Sequence, residues 1–440
     1  MADAAGGDLL VSGGPLWAGP DAYWPAGALL ARDGRVVYAG DAAGLPAGPL
    51  PSETLHAQGG LIMPGLVNAH VHGPMVLFRG LADDLPLEAW LFKHIFPAEA
   101  RWMEPATVEL CTRLAAAELL LSGVTTVCDA YFHAEAMARA YAGMGLRAVV
   151  AQGVIDFPAP GAPDPQKNLD LAREFVTAWQ GRHALITPAI FAHTAYTCGP
   201  ATLQGCARLA ARLGAPWFIH LAESQNEVGA ISEKYGRTPA RHLEALGVLE
   251  GLTAAVHGAW LEPEEMALLA RRGVAVAACP QSNCKLASGA ADIPALLAAG
   301  VAVGLGTDGA ASNNDLDILG EAALAARLAK LTTGDPAALP AATALDLALA
   351  GGAAALGLKG VVGRLSPGHA ADLVVLKAHE PHLTPMRDPA AALVYQARKD
   401  DVRHVAVAGR VLVKDRQLPG LDLAGDMAAV RALAGRVANG

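Results

Sequence analysis

The sequence predicts an α/β protein, a (β/α)8 TIM-like barrel carrying a small β-domain built from both chain ends. Three observations predict it. Between about residues 63 and 365, eight short apolar runs alternate with longer Ala/Leu-rich segments. Each chain end holds a hairpin signal but too few strands to bury a core alone. Polar, titratable residues recur where the apolar runs stop, which is where a barrel of this kind keeps its catalytic groups.

Taken in chain order, Ala28–Ala31 and Arg35–Tyr38 flank Asp33-Gly34, a strong hairpin turn. Eight runs then read as buried parallel strands: Leu61–Val67, Val124–Cys128, Arg147–Ala151, Leu185–Phe191, Trp217–His220, Thr253–His257, Val274–Ala278 and Val301–Leu305. A strand covered on both faces is apolar at nearly every position rather than at every second one. Helical segments such as Pro105–Ser122 and Pro200–Leu213 fall between them. Leu339–Leu358 is the most apolar long stretch, but Asp346 and Gly351-Gly352 interrupt it, so a buried helix is expected rather than a membrane span. Asp372–Leu376 reads as a strand, and Val402–Ala408 and Val411–Val413 flank a second turn at Gly409-Arg410. The two ends are expected to pair with each other.

Composition fits this scheme. A chain of 440 residues exceeds the usual single domain, so one large and one smaller domain are expected. At 53% hydrophobic and 17% charged it supports a sizeable core and not disorder. The net charge of -9, with no Lys/Arg run, offers no face for nucleic acid. Met1–Pro20 lacks Lys and Arg, so no secretory leader is expected. Cys111, Cys128, Cys198, Cys206, Cys279 and Cys284 form no CxxC pair, and reduced thiols in a cytoplasmic protein are expected.

The most informative feature is His70-Val71-His72, led in by an apolar strand and ended by Gly73-Pro74. Residues two apart on a strand share a face, about 6.6 Å between alpha carbons, so the two imidazoles can share one metal ion. The fifth run ends at His220, with Glu223 three residues on, the sixth at His257 and the eighth at Asp308. Three His and one Asp (His70, His72, His220 and Asp308) suit a borderline divalent ion, Zn²⁺ first, with Fe²⁺ or Mn²⁺ as alternatives. Water bound to such an ion loses a proton near neutral pH. Glu223 can then shuttle protons, and His257 can orient or polarise the attacked group. Singly, each residue has an ordinary explanation. A lone His can be hydrogen-bonded core, and Asp308 can cap a helix. Together they would all need innocent reasons to end buried strands at one rim. The only lysines between His72 and His220 are Lys93 and Lys167, and neither ends a predicted strand. A bridging carbamylated lysine is therefore not expected, and one ion per subunit is. Gly304-x-Gly306 is read as tight packing, not a dinucleotide motif. His56, His183, His242, His369, His379, His382 and His404 are read as surface or linker, and His94 and His133 are left open.

The runs Pro64–His72, His220–Glu223, His257-Gly258 and Gly306–Gly309 resemble the amidohydrolase superfamily, and Gly368–Leu376 is similar to its closing-strand signature. The resemblance covers nearly the whole chain. It implies a metal-dependent hydrolase barrel at 63–365 and a composite β-sandwich from 1–62 plus 366–440. A finer resemblance lies in His72–Leu85, Trp90–Phe92, Pro97–Glu99 and Gly306–Asn314, which are similar to the 5′-methylthioadenosine/S-adenosylhomocysteine deaminases. It implies that Glu99 holds the ribose diol, Trp90 packs on the apolar end of the substrate, His193 contacts the purine and Ser312 lies near Asp308. Trp90 as plain core and Glu99 as a solvated helix residue stay open as readings of the sequence.

That resemblance also exposes a departure. Users of S-adenosylhomocysteine hold its amino-acid carboxylate with two arginines, one expected where this chain has Gln152 and one in the loop after Ile155. Between Ala148 and Ala172 there is no Arg, and Lys167 is the only base. The loop Asp156–Pro163 is apolar and proline-rich. An unpaired carboxylate would bind poorly there, though Lys167 stays open as a substitute. The expected reaction is zinc-dependent hydrolytic deamination at C6 of 5′-methylthioadenosine, 5′-deoxyadenosine or adenosine, with S-adenosylhomocysteine disfavoured. Alternatives are deamination of a free base (guanine or cytosine), a chlorotriazine hydrolase, or a catalytically dead scaffold. The expected partner is a small-molecule nucleoside, with no nucleic acid and no membrane, and a homo-oligomer is compatible with the family.

Overall fold

The computed structural model describes residues 6–439, so residues 1–5 and 440 of the expected end domain lie outside it. Eight parallel strands stand in sequence order around the barrel: Leu66–Val71, Val124–Tyr131, Arg147–Val154, Ile186–Ala192, Trp217–Leu221, Ala254–His257, Ala275–Ala278 and Val303–Leu305. Most are buried along their whole length, because helices cover the outside and packed side chains fill the inside. Several of the covering helices begin with proline in the first turn, as in Pro105–Leu121, Pro200–Leu213 and Pro263–Arg272. There the missing N–H costs nothing. The barrel closes where the backbone N–H of Asp308 donates to His70 O at 3.0 Å. Gly306 permits that approach, since a Cβ there would lie 2.8 Å from the His70 backbone nitrogen.

The other chain segments form a separate mixed sheet. Its strands run, edge to edge, Arg410–Val413, Val402–Val407, Leu373–Leu376, Leu61–Pro64, Leu9–Gly19, Ala22–Arg32 and Arg35–Asp41, with Glu53–His56 on the Leu9–Gly19 strand. N-terminal and C-terminal segments therefore meet at one seam, where Leu61–Pro64 pairs antiparallel with Leu373–Leu376. The sheet has its own apolar core, including Leu9, Leu29, Ile62, Leu373 and Val375. A buried ion pair, Arg147 Nε to Asp372 Oδ2 at 2.8 Å, ties it to the barrel.

Four sequence expectations need correction. Leu61–Val67 is two strands of different sheets, parted at Gly65, whose N–H donates to Asp372 O at 2.9 Å. Both sheets bury their share, so the apolar run shows no seam. The second hairpin turns at Ala408-Gly409, both at positive φ, with Val407 opposite Arg410, so Arg410 opens a strand. His242 and His404 are buried. His242 stacks on Tyr235 with ring centroids 4.0 Å apart, and His404 lies on a strand with its Nδ1 accepting from the Asp415 N–H. The stretch from Leu339 is helical and largely buried, with a π-helical turn at Leu347–Gly351. No helix among the described residues is long and apolar enough to cross a membrane. All six cysteines are unpaired.

Candidate active site

His70 and His72 leave the first barrel strand on one face, with ring centroids 4.6 Å apart. His220, on the fifth strand, brings its Nε2 to 3.3 Å from His70 Nε2. One ring nitrogen from each of the three lies within 4.8 Å of the others. Burial pushes the His70 imidazole down to about 3 and His220 well below the usual range, so both are neutral. His72 Nδ1 sits 2.5 Å from Ala130 O, and a carbonyl can only accept. Nδ1 therefore donates to that carbonyl, and Nε2 is the nitrogen turned toward Asp308 Oδ1 at 3.3 Å. His70 Nε2 is 3.5 Å from the same oxygen. Three converging imidazole nitrogens beside a carboxylate oxygen, in a buried site, suit a cation held among them. The three-nitrogen, one-oxygen donor set fits a zinc-like ion.

Asp308 follows the eighth strand at φ 60°, His257 ends the sixth at φ 74° and Ala222 follows the fifth at φ 50°. Such left-handed backbone at non-glycine residues costs about 1 kcal/mol or more and concentrates at functional sites. The two oxygens of Asp308 are divided between tasks. Oδ2 accepts from Ser282 Oγ at 2.7 Å and Ser312 Oγ at 2.9 Å, leaving Oδ1 to the histidines. Glu223 is buried, with Oε2 3.7 Å from His257 Nε2. Burial, helped by the Asp308 charge, pushes its carboxyl up to about 8, so it carries a proton at neutral pH. Glu227 Oε2 accepts from the Glu223 backbone N–H at 2.8 Å and fixes the loop.

From this cluster a cavity, partly open to solvent, extends outward, with His72, His220, Glu223, His257 and Asp308 at one end. Its walls include Trp90, Glu99 and His193. Trp90 ends the short helix Leu87–Trp90 and is 6% exposed. A π-helical turn, Leu91–Ile95, follows it, a device frequent at functional sites. Glu99, on Phe96–Trp102, is 4% exposed rather than solvated, and its Oε1 accepts from Tyr131 OH at 2.6 Å. Burial pushes its carboxyl up to about 7. His193 follows the fourth strand, pairs Nδ1 with Thr197 Oγ1 at 2.7 Å and lies 5.2 Å from His220 between ring centroids. Ser312 touches Asp308 but does not line the cavity. His94 is exposed, and His133 turns to Met103 O, so neither joins the cavity.

Among the described residues, no lysine or arginine lines this cavity. Gln152 spends its amide on backbone, with Oε1 accepting from Ala134 N–H and Nε2 donating to Gly153 O, both at 3.1 Å. Lys167 ends the 3-10 turn Pro165–Lys167 and does not reach the lining.

Sequence reasoning missed Ser282, Asn283 and Tyr131. Asn283 Nδ2 lies 3.3 Å from His257 Nδ1. The residues that follow the seventh strand, Cys279-Pro280-Gln281-Ser282-Asn283, carry no charge and so give no sign at that strand end. Tyr131 ends the second strand, and its phenol was the signal that could have flagged it.

A barrel that gathers neutral imidazoles and carboxylates at its strand ends has the architecture of a metal-dependent hydrolase. Residues 61–412 match the amidohydrolase family, and the chain belongs to that family as a metal-dependent aminohydrolase. It is 44% identical, over 97% of both chains, to a 5-methylthioadenosine/S-adenosylhomocysteine deaminase of Syntrophobacter fumaroxidans. Among solved structures it is similar to an adenosine deaminase from Xanthomonas campestris with bound zinc, at TM-score 0.95 and 37% identity over 98% of this chain and 99% of that one. It is also similar to an atrazine chlorohydrolase from Arthrobacter aurescens complexed with zinc, at TM-score 0.88 and 25% identity over 97% and 100%.

Proposed function

We propose that this aminohydrolase deaminates adenosine derivatives at C6, giving the inosine analogue and ammonia. The preferred substrates are 5′-methylthioadenosine, 5′-deoxyadenosine and adenosine. The observation that carries the reading is Glu99, a buried carboxylate in the same cavity as Glu223 and the histidine cluster. A carboxylate kept from water at about 7 is costly, and accepting two hydroxyl hydrogen bonds from a ribose diol is a task that repays it. The relatives named above support the choice of purine.

In this reading His70, His72, His220 and Asp308 hold one zinc ion, with residues 63–365 as the catalytic barrel and 1–62 plus 366–440 as the supporting domain. The ion would supply a nucleophile at neutral pH by acidifying a water molecule. Asp308 and His257 take the proton of the attacking water. Protonated Glu223 gives its proton to the ring nitrogen beside C6, since the adenine carbon is a poor electrophile without it. Collapse of the tetrahedral carbon breaks the C6–N bond: the proton held by Asp308 and His257 passes to the amino group, which leaves as ammonia, and the C6 hydroxyl proton returns to Glu223 as the carbonyl forms. Trp90 packs on the 5′ group, and His193 contacts the purine. The absence of a cation around the cavity disfavours S-adenosylhomocysteine, whose carboxylate would be unpaired. Unpaired cysteines suit the cytoplasm.

The test is ammonia release by the zinc-loaded protein on 5′-methylthioadenosine, 5′-deoxyadenosine, adenosine, S-adenosylhomocysteine, adenine, guanine and cytosine. High kcat/KM on the first three, with S-adenosylhomocysteine clearly worse, is expected. Activity confined to a free base would remove the roles given to Glu99 and Trp90.

A further inference from the structure

Lys285 lies outside both the histidine cluster and the cavity wall, yet three segments that build the cavity meet on it. Its ammonium pairs with Asp83 Oδ1 at 2.6 Å and also donates to Asn314 Oδ1. Asn314 Nδ2 donates in turn toward Asp83 Oδ2 at 3.3 Å. The first segment is the loop around Asp83, which leads into Leu87–Trp90. The second is Pro280–Lys285, followed at once by Leu286 of the cavity wall. The third is the stretch after Asp308 that carries Asn314.

The loop depends on this contact. Among the described residues, Asp83 makes the only side-chain hydrogen bonds of residues 80–86. Leu81, Ala82 and Leu85 are only partly buried against the core. The chain just beyond the loop supplies Trp90 and Glu99 to the cavity. The chemistry at the junction is complementary. An ammonium offers only donors, so it can hold a carboxylate and an amide oxygen together, and the same amide donates back to the carboxylate. Asp83 is held below the usual carboxylate range, first by its hydrogen bond to Lys285.

We propose that Lys285 is a positioning residue for substrate. It latches the Asp83 loop to the segments after the seventh and eighth strands and so sets Trp90 and Glu99 at their distance from the histidine cluster. This rests on the function proposed above. Asp83 and Lys285 are 38% and 22% exposed, so solvent weakens the pair and the effect is moderate.

The test uses the metal-loaded full chain and the variants K285M, K285R, D83N and D83N/K285M. K285M is expected to raise KM for 5′-methylthioadenosine about two- to fivefold, with kcat within about 1.5-fold, and K285R to stay near the parent. The double variant is expected to be no worse than K285M alone, because the two residues share one interaction. Without any substrate, trypsin should cut after Arg79 and Lys93 several-fold faster in K285M. Unchanged KM and unchanged tryptic cleavage in K285M would overturn the proposal, as would additive effects in the double variant. If the parent deaminates no adenosine derivative, the proposed function fails, and the tryptic rates alone decide whether the latch exists.

Discussion

Glu99→Gln should move stability and activity in opposite directions. Burial raises the parent carboxyl from its ordinary 4.5 to about 7, while its bond from Tyr131 works the other way. Because the folded-state pKa is raised, the folded chain holds a proton that the unfolded chain has released between those values. Stability therefore falls as pH rises from 4.5 to about 7 and stays lower above it. At 1.36 kcal/mol per pKa unit the penalty at pH 8 is about 3 kcal/mol. Glutamine fills the same space and keeps an oxygen for Tyr131 OH, but cannot ionise. The variant should match the parent near pH 4.5 and exceed it in melting temperature at pH 8, read by calorimetry of the metal-loaded protein at both values. Activity should fall. Two charge-assisted hydrogen bonds to the ribose become one neutral bond, a loss of about 3 kcal/mol, or roughly 100-fold in kcat/KM for 5′-methylthioadenosine. In the parent, kcat/KM should decline below about pH 7 as Glu99 takes up its proton. A variant less stable than the parent at pH 8 would refute the burial argument. Unchanged kcat/KM would refute the ribose role.

Other expectations concern the reacting end. Glu223→Gln should lower kcat by about 10²- to 10⁴-fold with little change in KM, since it removes the proton donor and keeps the shape. Steady-state kinetics check this, and a pure KM effect would contradict it. Ser282→Ala frees Asp308 Oδ2 of one of its two hydroxyls and should cost about tenfold or more in kcat or metal affinity, as loss of a ligand's supporting partner does. Metal titration of the apo-protein separates those two effects. Chelation should abolish ammonia release and lower the melting temperature, with both restored by Zn²⁺. A melting temperature indifferent to metal would argue against an ion at the cluster.

The parts of this molecule that could be read from sequence are those where chemistry and periodicity coincide. His70 and His72 announce a shared face because a strand alternates with period two, and His257 closes a run too apolar to be anything but buried. The catalytic barrel was readable for the same reason. What escaped had no such coincidence. The strand Leu9–Gly19 is not anticipated, because it contains Gly13-Gly14-Pro15, which its pairing absorbs as irregularities. Ser282 and Asn283 are neutral and give no signal until Asp308 and His257 are placed beside them. His242 looks like a surface residue because nothing marks the Tyr235 ring that covers it, and His404, although in an expected strand, gives no sign of the Val375 strand that pairs with it.

The seam between Leu61–Pro64 and Leu373–Leu376 has a consequence for synthesis. As the chain leaves the ribosome, the Leu61–Pro64 strand emerges early but must wait for about 300 further residues before its partner exists. Until then its edge is unpaired, and such an edge invites pairing with another chain. The barrel is the tether that keeps this strand waiting in place. A protein truncated before residue 373 would carry the complete histidine cluster and still tend to aggregate. Circular permutants that join the two ends of the mixed sheet should fold with less dependence on chaperones, because the seam would then form from neighbouring segments.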